Sequence, residues 1–421
     1  MKKPIKSTIL AAVCAAAATF FCIPAYSSQK EEKIDALAER VFNVASQQVK
    51  LMCSQLGPEA LPKHVAPDGS FRTSVWRDWV SGFFPGTLWY VYCYTGNEEY
   101  AQLAKVQTQK VAPAQFMTTN HDVGFMVNCS FGNGLRIGGV EDYAEVMHNA
   151  AHSLVTRYSP VVGCIKSWEN NPGRGWYYPV IVDNMMNLEL LVRVSRMFDE
   201  PHLLAIARSH ADMTMKNHFR PDGTTFHVVN YDPATGKRLS GETAQGYSDE
   251  STWARGQAWG FYGYTMMADL TGEASYLAKA EELARWTIAH LPEDHVQYWD
   301  YDAAAKLIAN EPGLDRKWAG ELPDGSILRD ASSAAITASA FVKLSQITKD
   351  RKLAKACRRM AEAQVRALAS PEYLAAPGEL HGFLIKHGTG AYHANSEVDV
   401  PLTYGDYYFL EAVLRLLGKV E

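Results

Sequence analysis

The chain has 421 residues, a formal charge of −5 and 11% aromatic residues, among them ten Trp. An acidic balance argues against general binding of nucleic acid or any other polyanion, though one local basic pocket for a small anionic sugar stays compatible with it. The length exceeds the usual single domain but is one that closed barrels reach as a single unit.

Met1-Lys2-Lys3-Pro-Ile-Lys6 is basic, Thr8 to Pro24 is an apolar run, and Ala25-Tyr-Ser27 offers a small-x-small cleavage site. That pattern predicts a bacterial secretory signal peptide over residues 1–27, a domain over residues 28–421, and a periplasmic or secreted location. Cys22, without a good lipobox before it, keeps a lipoprotein anchor as the lesser alternative. Losing Lys2, Lys3 and Lys6 takes the mature chain to about −8. No later stretch approaches the length of a membrane span. The remaining cysteines, Cys53, Cys93, Cys129, Cys164 and Cys357, are odd in number and form no CxxC pair. They read as buried thiols rather than as disulfides or a zinc site.

In chain order, periodicity predicts helices over about 31–55, 78–94, 98–117, 122–136, 141–157, 183–198, 200–217, 253–271, 274–291, 331–347, 350–369 and 404–418, with almost no strand alternation. Connections after every second helix are tight, as in Tyr94-Thr-Gly-Asn-Glu and Leu270-Thr-Gly-Glu-Ala, where a glycine stop meets an acidic restart. The connections into the even-numbered helices are long. Helix pairs with that asymmetry, six times over, predict an all-α, six-hairpin (α/α)6 double-ring barrel; an open α-solenoid shares the same local pattern. The odd helices carry charged faces. The even ones are rich in Gly, Ala, Ser and aromatics, as in Gly256-Gln-Ala-Trp-Gly-Phe-Tyr-Gly-Tyr, and are expected inside.

The inner helices then all begin at the long-loop end. Gathered there are Asp78-Trp79, His121-Asp122, Asp183-Asn184, Trp253 with Arg255 and Trp259, Arg329-Asp330, and Tyr404-Gly-Asp406. Singly, each is more often a cap or a core aromatic; Asp is a common N-cap, and Asp183 taken alone reads that way. Together they read as a pocket for an acidic sugar, because helix N-termini favour anions. In Tyr178-Pro-Val-Ile-Val-Asp183-Asn184-Met-Met-Asn187, Asp183 and Asn187 share a helical face beside the apolar Met186 and Leu190. A carboxylate so placed has its charged form disfavoured and suits proton donation.

Trp79 with its following glycines, His121-Asp122-Val-Gly-Phe, Ile181-Val-Asp183-Asn, Ser251-Thr-Trp-Ala-Arg-Gly-Gln-Ala-Trp-Gly260, Arg329-Asp-Ala-Ser-Ser and Gly405-Asp-Tyr-Tyr-Phe-Leu-Glu-Ala together resemble the unsaturated glucuronyl hydrolases. The resemblance covers nearly the whole mature chain, and its most specific block begins at Trp253. It implies an (α/α)6 barrel that removes the Δ4,5-unsaturated uronic acid left by polysaccharide lyases at a non-reducing end. It places the general acid/base on Asp183, the second essential aspartate on Asp122, and sugar contacts on Trp79, His121, His227, Gln245, Trp253, Arg255 and Trp259. Arg255 is expected to grip the uronate carboxylate, the tryptophans to be stacking walls, His227 and Gln245 to orient hydroxyls, and the Asp122 charge to keep Asp183 protonated.

No cofactor or metal is expected: His121, His218 and His227 lack ligand spacing. The chain departs from the family at Lys386-His-Gly-Thr-Gly-Ala-Tyr-His-Ala-Asn-Ser-Glu-Val-Asp399, where a Gly-Ser-rich basic segment associated with the leaving sugar is replaced. The competing readings are an unsaturated rhamnogalacturonyl hydrolase, a conventional two-carboxylate glycosidase and a non-catalytic glycan-binding barrel.

Overall fold

Every predicted helix is present in the computed structural model, which describes residues 32–421; the predicted signal peptide lies outside the described residues. The inner helices are Phe83–Thr95, Val123–Val127 continued through a π turn into Asn133–Arg136, Asn184–Phe198, Ala254–Thr271, Ala331–Ile347 and Thr403–Leu416. The outer ones are Ile34–Gln55, Glu98–Val111, Tyr143–Val155, Pro201–Asn217, Ala274–His290 and Arg351–Leu368. Sequence patterning accounts for the division. Every residue of Thr403–Leu416 is buried, whereas Arg351–Leu368 buries Leu353, Cys357, Ala361, Val365 and Leu368 on one stripe and turns its charges outward.

Each inner helix packs on the next around the circle, and Thr403–Leu416 packs back on Phe83–Thr95. That contact closes the ring and removes the open solenoid. Five pairs are hairpins joined by tight elbows. The remaining pair is assembled from the two ends of the barrel, with Ile34–Gln55 outside and Thr403–Leu416 inside. The elbows follow ordinary stop-and-start chemistry: Gly96 (φ 63°) and Gly272 (φ 73°) take the left-handed C-cap, and Asn97 accepts the Glu99 N–H to start the next helix. Toward the elbow end, Glu411 accepts from Tyr90, Tyr262 and Ser339 hydroxyls and pairs with Arg415 at 3.4 Å, so one buried carboxylate cross-links inner helices.

Close approach is set by small residues. A Cβ on Gly124 would lie 2.5 Å from both Cα and Oδ1 of Asn187 on the neighbouring inner helix. Gly124→Ala is therefore expected to destabilise the barrel by about 1–3 kcal/mol, measured as a lowered urea midpoint.

Sequence periodicity did not predict the short strands. Pro179–Ile181, Val228–Tyr231 and Arg238–Glu242 form an antiparallel sheet over the long-loop end, with Ile181 opposite Val228. Two hairpins, Leu61–Val65 with Phe71–Ser74 and Tyr158–Ser159 with Cys164–Ile165, and a helix Tyr301–Ile308 lie in the other long connections. Cys53, Cys93, Cys129, Cys164 and Cys357 are free thiols; Cys129, Cys164 and Cys357 are buried as expected, whereas Cys53 and Cys93 are only partly so. Among the described residues no helix is long and apolar enough to cross a membrane.

Candidate active site

The rim acids separate into two kinds once their partners are known. Asp78 accepts from the Val80 N–H and pairs with Lys63 at 2.7 Å. Asp330 caps Ala331–Ile347 through the Ser332 N–H, accepts from both Ser332 and Ser333 hydroxyls, and pairs with Arg255 at 2.7 Å. Asp406 accepts the Leu384 and Ile385 N–H groups, tying a loop to the last helix. These three are structural.

Asp122 and Asp183 are different. Each sits at the N-cap position of an inner helix, yet neither carboxylate caps it. The local reasons are visible. The Phe125 N–H, in the first turn after Asp122, is satisfied by Asn187 Oδ1 from the neighbouring helix at 2.8 Å. The Met185 and Met186 N–H groups bond the Val182 and Asp183 carbonyls in a tight turn. Donors that would otherwise claim the two side chains are already occupied. The capping role read for Asp183 from its position alone is thus corrected.

Asp183 keeps 8% of its surface exposed and Asp122 9%, a narrow opening that leaves both oxygens mostly out of water. Burial pushes the Asp183 carboxyl up to about 7, with the Arg255 charge and the Trp259 indole N–H holding it back from a larger rise. Burial also pushes Asp122 up to about 8, and the Asp183 charge adds to it. The expected direction of influence is thereby reversed: burial is the main cause for Asp183, and the mutual repulsion is felt at Asp122. The two carboxyls form a coupled pair that retains a proton at neutral pH.

Each aspartate faces a histidine. Ser167 Oγ accepts the Ile181 N–H at 2.9 Å and lies 3.4 Å from His121 Nδ1. His121 Nε2 lies 3.2 Å from Asp122 Oδ1. The Ala244 N–H donates to His227 Nδ1 at 3.2 Å, which puts the His227 proton on Nε2, 3.6 Å from Asp183 Oδ1. Burial lowers His121 to about 3 and His227 well below the usual imidazole range, so both rings are neutral. The sheet explains the second pairing: the Val182 N–H bonds the His227 carbonyl, so Asp183 and His227 leave paired strands side by side. Asp183 Oδ1 and His227 Nε2 are both buried without a hydrogen-bond partner.

Other predicted contacts are placed differently from expectation. Arg255 is 1% exposed and donates to Asp330, to the Thr389 carbonyl and to the Gly390 carbonyl at 2.6 Å. Its fork holds the segment at 389–390. Trp259 is fully buried against Phe125 and Tyr408, so it is a core residue whose indole edge alone faces Asp183. Trp253 lies between His227, at 4.4 Å, and the Arg255 guanidinium, at 4.5 Å, and is 2% exposed. Trp79 is only partly buried, packed on Phe83, Phe125 and Tyr404, and keeps surface to offer a ligand. Gln245 donates its amide to the Gly390 carbonyl at 3.0 Å.

Sequence reading missed Ser167 and Trp168, whose ring meets His227 edge-on at 5.7 Å; Tyr404, gathered at the rim from sequence, carries a buried hydroxyl without a hydrogen-bond partner. Val228-Val-Asn-Tyr231, rich in strand-forming residues, was the available sign of the strand that follows His227.

The sequence profile of Glycosyl Hydrolase Family 88 matches residues 59–308. The chain belongs to this family. A relative from Formosa agariphila, named unsaturated glucuronyl hydrolase, is 37% identical over 94% of this chain and 95% of its own length. A Streptococcus pneumoniae relative named unsaturated chondroitin disaccharide hydrolase is 30% identical over 80% and 81%. Among solved structures, an unsaturated glucuronyl hydrolase described as specific for heparin is 40% identical, covers 92% of this chain and 99% of its own, and superposes with a TM-score of 0.83. The family 88 assignment makes this chain a glycoside hydrolase, and its (α/α)6 barrel is the one these relatives share.

Proposed function

We propose that this glycoside hydrolase removes the Δ4,5-unsaturated glucuronic acid from the non-reducing end of lyase-generated glycosaminoglycan oligosaccharides. The observation that carries the reading is the pair of buried, uncapped carboxyls Asp122 and Asp183, both raised toward neutrality, with an unpartnered Asp183 oxygen among them. Such a group is a proton donor at neutral pH, which hydration of a vinyl ether requires and an ordinary carboxylate cannot supply.

Protonated Asp183 delivers its proton to C4, and the C4=C5 pair forms the new C–H bond, leaving positive character at C5 shared with the ring oxygen. Water adds to C5, and its proton passes to the Asp183 carboxylate. The hemiketal opens to a C5 ketone as the C5–ring oxygen bond breaks, and the hemiacetal left at C1 expels the remaining saccharide as an alcohol. His227 Nε2–H and the neutral His121 ring stand beside the two carboxyls and orient sugar oxygens without adding charge, and Trp79 supplies the stacking surface. Arg255 acts on the site through its positive field and through the 389–390 segment it holds.

The test incubates the enzyme with unsaturated disaccharides from heparin, chondroitin and hyaluronan, sulfated and unsulfated, and follows loss of the uronate ultraviolet absorbance. Turnover of at least one is expected, and none of a saturated glucuronide; equal cleavage of the saturated compound would replace hydration with conventional glycoside displacement. The panel also ranks the glycosaminoglycans named for the relatives.

The pH dependence has a definite sign. The donor must be protonated, so kcat/KM is expected to fall as pH rises through about 7–8, the range to which burial lifts Asp183 and Asp122. A profile still flat at the alkaline end of that window would contradict the assignment. The export signal read at residues 1–27 supports a periplasmic or secreted site of action, testable by fractionating cells that express the full-length chain.

A further inference from the structure

We propose a divalent transition-metal site, suited to zinc, on the outer ring and remote from the catalytic carboxyls, formed by His148, His152, Glu200 and His202. His148 and His152 are one turn apart on the outer helix Tyr143–Val155, so their rings leave the same face. Glu200 and His202 flank the elbow that starts the next outer helix, Pro201–Asn217. The geometry brings both elements to one point. His148 Nε2 lies 2.6 Å from Glu200 Oε1, His152 Nε2 lies 2.8 Å from Glu200 Oε2, and the two ring nitrogens are 3.2 Å apart. His202 Nε2 approaches the same carboxylate at 3.7 Å.

Two imidazole nitrogens bound at about 2.0–2.1 Å to a tetrahedral ion stand roughly 3.3 Å apart, which is the spacing these rings already have. The ligand atoms of His148, His152 and Glu200 all lie within 4.8 Å of one another. These three supply two imidazoles and one carboxylate, and His202, whose Nε2 lies 3.7 Å from Glu200 Oε2, is the candidate fourth ligand of a tetrahedral set. That donor set favours zinc, copper or nickel over magnesium or calcium, which require oxygen ligands. The Phe198 ring packs on His148 at 4.3 Å, and the left-handed Asp199 (φ 56°) turns the chain so that Glu200 faces the outer helix. Side-chain exposures of 22–56% leave the cluster open for an ion to enter. A bound ion would staple two neighbouring outer helices across the barrel's exterior.

The experiment uses untagged, chelator-treated protein titrated with zinc chloride in a calorimeter, alongside the double variant His148→Gln/His152→Gln and the single variant Glu200→Gln. Wild type is expected to saturate at one zinc ion per chain. The double variant should lose more than the roughly 10–100-fold in affinity that removing a mere outer-shell partner costs. Zinc should raise the melting temperature of wild type and leave that of the double variant unmoved, while both keep the same rate of unsaturated-uronate loss. The single variant guards against a misfolded double variant, and weaker binding there supports the same site. Absence of saturable binding by wild type, or unchanged affinity in folded variants, overturns the proposal.

Discussion

Replacing Asp183 with Asn is expected to lower kcat by about 10²–10⁴, the usual worth of a positioned proton donor, while leaving the fold at least as stable as wild type. The two halves of this expectation share one cause. Asp183 is 8% exposed, its Oδ1 has no hydrogen-bond partner, and burial lifts its carboxyl from the ordinary range to about 7. The native state therefore prefers the protonated form more than the unfolded chain does. Stability from this group is fully present below an unfolded value of about 4 and is lost as pH rises through about 7. At pH 8 the wild type holds an ionised, buried carboxylate. Asn is neutral at every pH and of nearly the same shape, so the variant should gain on the order of 1–3 kcal/mol at pH 8 and nothing at pH 4. Urea midpoints at the two pH values, measured beside uronate turnover, read both effects. A variant that kept a tenth of wild-type turnover would remove Asp183 from the proton-donor role.

The second large effect is on structure. Arg255→Met should destabilise the barrel by about 3–5 kcal/mol, because it leaves the Asp330 charge buried without its partner. It also frees the Thr389 and Gly390 carbonyls that the guanidinium holds. Asp330 is fully buried, and its pairing with Arg255 at 2.7 Å joins the start of Ala331–Ile347 to that of Ala254–Thr271. Adding Asp330→Asn to Arg255→Met removes the stranded charge while keeping an oxygen for the Ser332 N–H. The double variant is expected to recover part of the lost stability in urea unfolding. Arg255→Lys should not rescue the loss, since one ammonium cannot reproduce a fork that bonds a carboxylate and two carbonyls at once. Should the double variant be no more stable than Arg255→Met, the buried-charge account of this residue would be wrong.

The barrel was legible because its signals are long. Helices of thirteen to twenty-two residues, such as Phe83–Thr95 and Ile34–Gln55, carry several turns of periodicity, and the alternation of Gly96- and Gly272-type elbows with long loops marked the two ends. The strands Pro179–Ile181 and Val228–Tyr231 were not legible by periodicity, since residues buried on both faces show no alternation to read. Asp122 and Asp183 stood out by type and place, but their freedom from capping depends on Asn187 and on the Val182 turn, which sequence spacing does not show. The bonds of Arg255 were hidden for a related reason: its acceptors, the carbonyls of Thr389 and Gly390, lie over 130 residues later in the chain. Ser167 meets His121 from a loop with no motif of its own.

The pair built from Ile34–Gln55 and Thr403–Leu416 has a consequence for how the molecule forms. Every other inner helix meets its outer partner across a few residues of chain, a contact that costs little loop entropy. The remaining pair must wait for nearly the whole sequence. In a chain that emerges N-terminus first, five hairpins can form in order while Ile34–Gln55, already beside Phe83–Thr95, still lacks Thr403–Leu416. The circle is completed only when the last fourteen-residue helix emerges. High sequence separation at that seam slows closure, and until then Phe83–Thr95, an almost wholly apolar helix, shows one bare flank to its surroundings. The final helix is therefore both the lid on that surface and the step that commits the chain to its native topology.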